Sequence, residues 1–148
     1  MIILAVDLGA ARTGLAVCDK NEVLSSPSGV IAERDREKLA ETIAREVLTR
    51  GAGAVVVGLP RNMDGSEGES ARNAREFAER LREIVPVPVA LQDERGTTIT
   101  AHGYLDDTGT YGKKRKAVVD AVAATVILDN YLAYRRNHPD ARKQTPAM

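Results

Sequence analysis

The chain has 148 residues, the length of one domain with a sizeable core and too short for two. Lysines plus arginines number 21 against 21 aspartates plus glutamates, which excludes a global positive field for gathering nucleic acid and leaves only local contacts. A single cysteine, Cys18, excludes an internal disulfide and a thiolate metal cluster, and the absence of any long apolar run or signal-peptide flank predicts a cytoplasmic protein.

Strand patterns come first in chain order: Ile2 to Asp7, Thr13 to Asp19, and a third around Val23 to Ala32. The polar DKNE connection and the short spacing predict a meander of three antiparallel strands. Cys18, within GLAVCD, reads as a buried small hydrophobe. From Asp35 to Arg50, Leu39, Ile43 and Val47 recur at helical spacing with Gly51 after the end, which predicts an amphipathic helix. The apolar run Ala54 to Leu59 predicts a strand covered on both faces, ended by Pro60. After the glycine-rich loop RNMDGSEG, Ala74, Phe77, Ala78 and Leu81 form the stripe of a second helix over 70–84.

Pro86 to Gln92 reads as another strand, followed by DER and a short helix capped by Thr97 or Thr98 and running to Leu105. DDTGTYGKKRK, with both charge signs and no apolar face, predicts an exposed loop before a long helix from Arg115 to Arg135. This order predicts an α/β protein, a ribonuclease-H-like mixed five-stranded sheet flanked by helices, over residues 1–136, with 137–148 as a disordered tail.

Asp7 ends the first strand, Glu94 follows the last, and Asp120 opens the alanine-rich DAVAA. Singly, each has an ordinary explanation as a cap, a strand-end charge or a dipole partner. Together they predict a converging trio. Like charges in an apolar setting repel and lose hydration, so such a trio calls for a hard divalent cation; oxygen ligands suit Mg²⁺ or Mn²⁺ and argue against zinc. Ala117, Ala121, Ala123 and Ala124 permit the close helix approach that the trio needs.

DLGAARTGLAVCD, VVGLPRNMDGSEG, DERGTT and VVDAVAATVIL, in this order, resemble the YqgF/RuvX family of Holliday-junction-resolvase-like proteins, also described as pre-16S rRNA nucleases. The resemblance covers nearly the whole chain before the tail. It implies that Asp7, Glu94 and Asp120 stand at the family's three acidic positions, catalytic and metal-binding, that Arg12 is the arginine of its DxGxxRxG pattern, and that Asn62, Asp64 and Gly65 fall in its NMDG loop, where substrate contact and loop structure are both compatible; Arg12 and Asn62 are the substrate-binding candidates. Family members commonly carry a larger apolar residue where this chain has Gly96, which loosens the backbone behind Glu94.

The expected activity is divalent-metal-dependent hydrolysis of phosphodiesters, with Mg²⁺ or Mn²⁺ held by the three acids. The resemblance implies an RNA substrate, in particular the 5′ end of pre-16S rRNA, or alternatively branched DNA. Lys113, Lys114, Arg115 and Lys116 are expected to contact phosphates, although a basic quartet also suits a solvated loop. Tyr111 is a candidate for stacking on a base or anchoring the loop. His102 reads as a packed or surface histidine and His138 as part of the tail, and Arg135 and Arg136 read as charges favouring a helix C-terminus. A monomer is expected, since the predicted core accounts for the apolar residues and a junction resolvase needs two sites related by symmetry. Two other classes are compatible with the residues: a non-catalytic nucleic-acid-binding module, and an actin-like nucleotide-binding module using the DxG turn as a phosphate loop.

Overall fold

A computed structural model describes residues 1–94 and 112–138, and in the last helix describes side chains from residue 121 onward. Three strands open the chain: β1 (Ile3–Asp7), β2 (Thr13–Cys18) and β3 (Ser25–Ile31). They form the predicted antiparallel meander, with Asp7 opposite Gly14 and Thr13 opposite Ile31. The β2–β3 turn is built by Asp19, whose carboxylate accepts the N–H groups of Val23 at 2.7 Å and Leu24 at 3.0 Å. Those backbone donors hold the Asp19 carboxyl below its ordinary value.

Helix α1 (Arg36–Arg50) starts where Asp35 caps the Lys38 N–H, and it ends at Gly51, whose left-handed φ of 66° lets its N–H return to the Leu48 carbonyl. Strand β4 (Ala54–Leu59) pairs parallel with β1, and β5 (Val89–Asp93) pairs parallel with β4. Helix α2 (Glu69–Ile84) lies between them in sequence. The sheet order is β3-β2-β1-β4-β5.

Strand alternation splits the core in two. Leu4, Val6, Val55, Val57 and Leu59 face α1 and α2, packing on Leu39, Ile43, Phe77 and Leu81. Ile3, Ala5, Ala16, Cys18 and Val56 face the opposite way, onto Ala124, Ile127, Leu128 and Leu132 of α3 (Gly112–Asn137). This second face is the flatter one, since alanines stand on both sides of it, and it admits a close helix. Ala123 and Ala124 are buried on it and Ala121 is half-buried, while the side chain of Ala117 lies outside the described residues. The Cys18 thiol is buried as predicted, and burial pushes its pKa up.

Two sequence expectations are corrected. Lys113 to Lys116 belong to α3 and not to a loop, because the helix begins at Gly112. Lysine and arginine are good helix formers, so loss of an apolar face does not stop a helix that is anchored further along. Arg135 stands in the last turn of α3, as expected, and is paired there as well. It is 3% exposed, its Nε donates to Glu22 Oε1 at 2.7 Å, and its guanidinium lies over the Tyr131 ring. His138 extends the helix end, with Nδ1 donating to the Tyr134 carbonyl at 2.9 Å and its ring stacked on Tyr134. The predicted 97–105 helix, with His102 and Gly96, lies outside the described residues, as do Tyr111 and 139–148.

Candidate active site

Parallel pairing of β1, β4 and β5 brings their C-terminal ends to one sheet edge. Along β1, Leu4 and Val6 face α1 and α2 while Ile3 and Ala5 face α3, so Asp7 falls on the α3 face. Along β5, Ala90 belongs to the α3 face, which puts Glu94 on it too, one step beyond the strand. Between these strands, at the same edge, lies Gly58 of β4. A side chain there would come within 2.5 Å of Ile127 Cδ1 and 3.5 Å of Glu94 Cγ. Glycine therefore keeps open the space into which Glu94 and α3 pack.

Glu94 is 7% exposed. Its backbone N–H donates to the Leu59 carbonyl at 3.0 Å, continuing the β4–β5 ladder one residue past the strand. Its carboxylate accepts from Asn130 Nδ2 of α3, at 3.3 Å to Oε2 and 3.5 Å to Oε1. Burial of a carboxylate is costly unless donors or a cation face it. Asp7 is half-buried and, like Glu94, engages further groups.

The direction of α3 follows from its contacts. Arg135 meets Glu22 in the β2–β3 turn, beside the beginning of β1, whereas Ile127 meets Gly58 near the carboxylate edge. Earlier residues of α3 therefore lead towards that edge. Asp120 precedes Ala124 by one turn and Ile127 by two, on the same helical stripe and about 10 Å along the axis from Ile127. Its side chain lies outside the described residues. Among the described residues no three His, Cys, Asp or Glu side chains gather as a metal centre; the visible part of the predicted trio is Asp7 and Glu94.

Gly9 follows from the geometry of the β1–β2 turn, because a Cβ there would come within 2.0 Å of the Arg12 carbonyl oxygen. That tight closure sets Arg12 just past Asp7, at the carboxylate edge. Arg36 ties the same turn to α1, its Nη1 donating to the Gly9 carbonyl at 2.8 Å.

Asn62 shapes its loop: its N–H donates to the Ser66 carbonyl and its Nδ2 to Ser66 Oγ, both at 2.9 Å. Asp64 closes the turn by accepting from the Ser66 N–H at 2.9 Å, with Gly65 at a positive φ of 89°. Arg61 fastens the loop through Glu67 at 3.3 Å and Asp93 at 3.5 Å. Arg75 also pairs with Glu67, and the two arginines hold that carboxyl down to about 2. Met63 is left 74% exposed at the loop tip.

Sequence reasoning missed Asn130, whose only signal was a polar residue inside the apolar run VILDNYL. It also missed Gly58, because a glycine within a strand reads as a weak strand residue until the helix across it is known.

A mixed sheet of this order, three antiparallel strands extended by two parallel ones and covered by helices on both faces, defines a ribonuclease-H-like protein. T. thermophilus RuvC in complex with Holliday junction substrate shares the fold at a TM-score of 0.54 and 14% identity, over 93% of this chain and 96% of that one. The fowlpox virus Holliday junction resolvase does so at 0.53 and 14%, over 93% and 99%.

The chain belongs to the RuvX family, described as Holliday junction resolvase, which it matches over residues 1–134. A relative from Anaeromyxobacter sp. is 46% identical over 132 residues, 89% of this chain and 96% of its own length; its name reads "Putative pre-16S rRNA nuclease". A relative of the same name from Chloroflexus aurantiacus is 38% identical over 145 residues, 98% of this chain and 95% of its own.

Proposed function

We propose that this protein is a divalent-metal-dependent nuclease that hydrolyses RNA phosphodiesters, in particular at the 5′ end of pre-16S rRNA, as a cytoplasmic monomer. The observation that carries the reading is that β1 and β5 end at one edge of the sheet with Asp7 and Glu94 on its α3 face and Gly58 of β4 between them. The names of the relatives support the substrate.

Asp7, Glu94 and Asp120 would hold Mg²⁺ or Mn²⁺. The donor set fits a hard cation, since it is made of carboxylates alone, one of them the buried Glu94, and the described part of the edge offers no thiolate or imidazole. When bound, the cation acidifies the attacking water and offsets charge on the leaving oxygen. The protein's own part is to fix those oxygens before substrate arrives, which rigid strands do better than a loop. Arg12, beside Asp7, would neutralise the phosphate entering the site. Lys113, Lys114, Arg115 and Lys116, on the first turns of α3 beyond Asp120, would take neighbouring phosphates. Asn62 and Asp64 act through loop shape, holding Met63 and Arg61 near the edge.

The test is cleavage of single-stranded RNA and of a four-way DNA junction, each with Mg²⁺, Mn²⁺ or chelator, by the wild type and Asp7→Asn. RNA cleavage that chelator stops and Asp7→Asn abolishes, with an unchanged melting temperature, is the expected result. Cleavage of the junction alone would replace RNA by branched DNA as substrate, and wild-type activity in Asp7→Asn would remove the assignment of the site.

A further inference from the structure

We infer that Asn130 is a positioning residue of the nuclease, holding the Glu94 carboxylate from across the interface between α3 and the sheet. The inference rests on the nuclease reading above and adds a residue to it. The amide nitrogen of Asn130 spans both oxygens of Glu94, at 3.3 and 3.5 Å, from a residue 36 positions away. An ionised carboxylate only accepts hydrogen bonds, so the NH₂ side of the amide must face it, and the donor is specified by chemistry.

Two features separate this contact from ordinary surface packing. Glu94 is almost wholly buried, whereas Asn130 is exposed on its other side. The amide therefore adds little to the core. Asparagine is also a poorer helix former than alanine, and this one stands well inside α3, seven residues before its end. A helix selected for stability alone would do better with alanine there.

The same helix carries Asp120 ten residues earlier. A bond from Asn130 to Glu94 thus fixes the strand-borne acid relative to the helix-borne one. A hydrogen bond to a ligand carboxylate limits its rotation, so that its oxygens need not be reorganised when the cation binds.

The experiment compares full-length wild type, Asn130→Ala and Asn130→Gln. It measures Mn²⁺ binding without RNA by calorimetry, kcat and KM for single-stranded RNA, and thermal melting. For Asn130→Ala the expected result is a loss of about 10-fold in Mn²⁺ affinity and in kcat, of the size typical for partners of metal ligands. KM for RNA should stay unchanged and the melting temperature should not fall. Asn130→Gln, which keeps the donor on a longer stem, should recover part of the loss. If the wild type binds Mn²⁺ and cleaves and Asn130→Ala matches it within twofold, the inference fails while the nuclease reading stands. A lowered melting temperature accompanying the kinetic loss would make Asn130 a structural residue and equally overturn the inference. A wild type that neither binds Mn²⁺ nor cleaves would sink the nuclease reading and, with it, this role.

Discussion

Arg135 and Glu22 show how one buried ion pair closes the end of the molecule opposite the candidate site. Burial pushes the Glu22 carboxyl up, but the hydrogen bonds from Arg135 and the Met1 ammonium outweigh it and hold it below its ordinary value. Burial likewise works against the Arg135 charge, and Glu22 more than offsets it. A carboxyl with a depressed folded-state pKa contributes stability that is complete above its unfolded value and is lost as pH falls through the folded one. Glu22→Gln should therefore cost about 3 kcal/mol at neutral pH, since it leaves a buried guanidinium without its counter-charge. Its melting temperature should also fall less steeply than that of the wild type on acidification below about pH 4.5. Melting curves across that range check both; parallel curves would mean that the pair contributes no linkage.

Among the described elements, α3 determines whether the site forms, because of these it alone crosses the face on which Asp7 and Glu94 lie. Its approach is set by residues without bulk: Ala123 and Ala124 on the helix, Ala5, Ala16 and Ala54 on the strands, and Gly58 at the edge. Gly58→Ala forces a methyl against Ile127, and overpacking of this kind costs about 1–3 kcal/mol. It should also lower nuclease activity, by displacing α3 from Glu94. Ile127→Val, which trims the clashing Cδ1, should restore much of both in the double variant. A double-mutant cycle of melting temperature and cleavage rate tests this, and strict additivity would show that the two residues do not press on each other.

For the molecule as a whole, charge is balanced overall, so nucleic-acid affinity must come from a local arrangement. The basic run Lys113 to Lys116 lies on the turns of α3 that lead out past the carboxylate edge. Changing Lys113, Lys114 and Lys116 to alanine should weaken RNA binding and flatten its dependence on salt, each lost phosphate contact reducing the logarithmic slope by about 0.7 for a single strand. Binding measured across a salt series reads this directly. An unchanged slope would mean that the strand takes another route to the acids. No helix among the described residues is long and apolar enough to cross a membrane.

Sequence alone determined the strand order's raw material and marked the candidate acids. The meander was legible because DKNE joins two alternating runs, α1 because Leu39, Ile43 and Val47 keep a helical period, and the inner strand because Ala54 to Leu59 is apolar throughout. Asp7 and Glu94 were legible because a charge at the end of an apolar strand is conspicuous. Tertiary structure decided what depends on two distant segments meeting. Arg135 looked like a terminal charge because its partner Glu22 lies 113 residues away. Asn130 looked incidental, and Gly58 looked like a weakness in a strand, until α3 was laid across the sheet. Periodicity and end signals are carried by neighbours along the chain, whereas burial and hydrogen-bond partnership are fixed only when the sheet and helix close on each other.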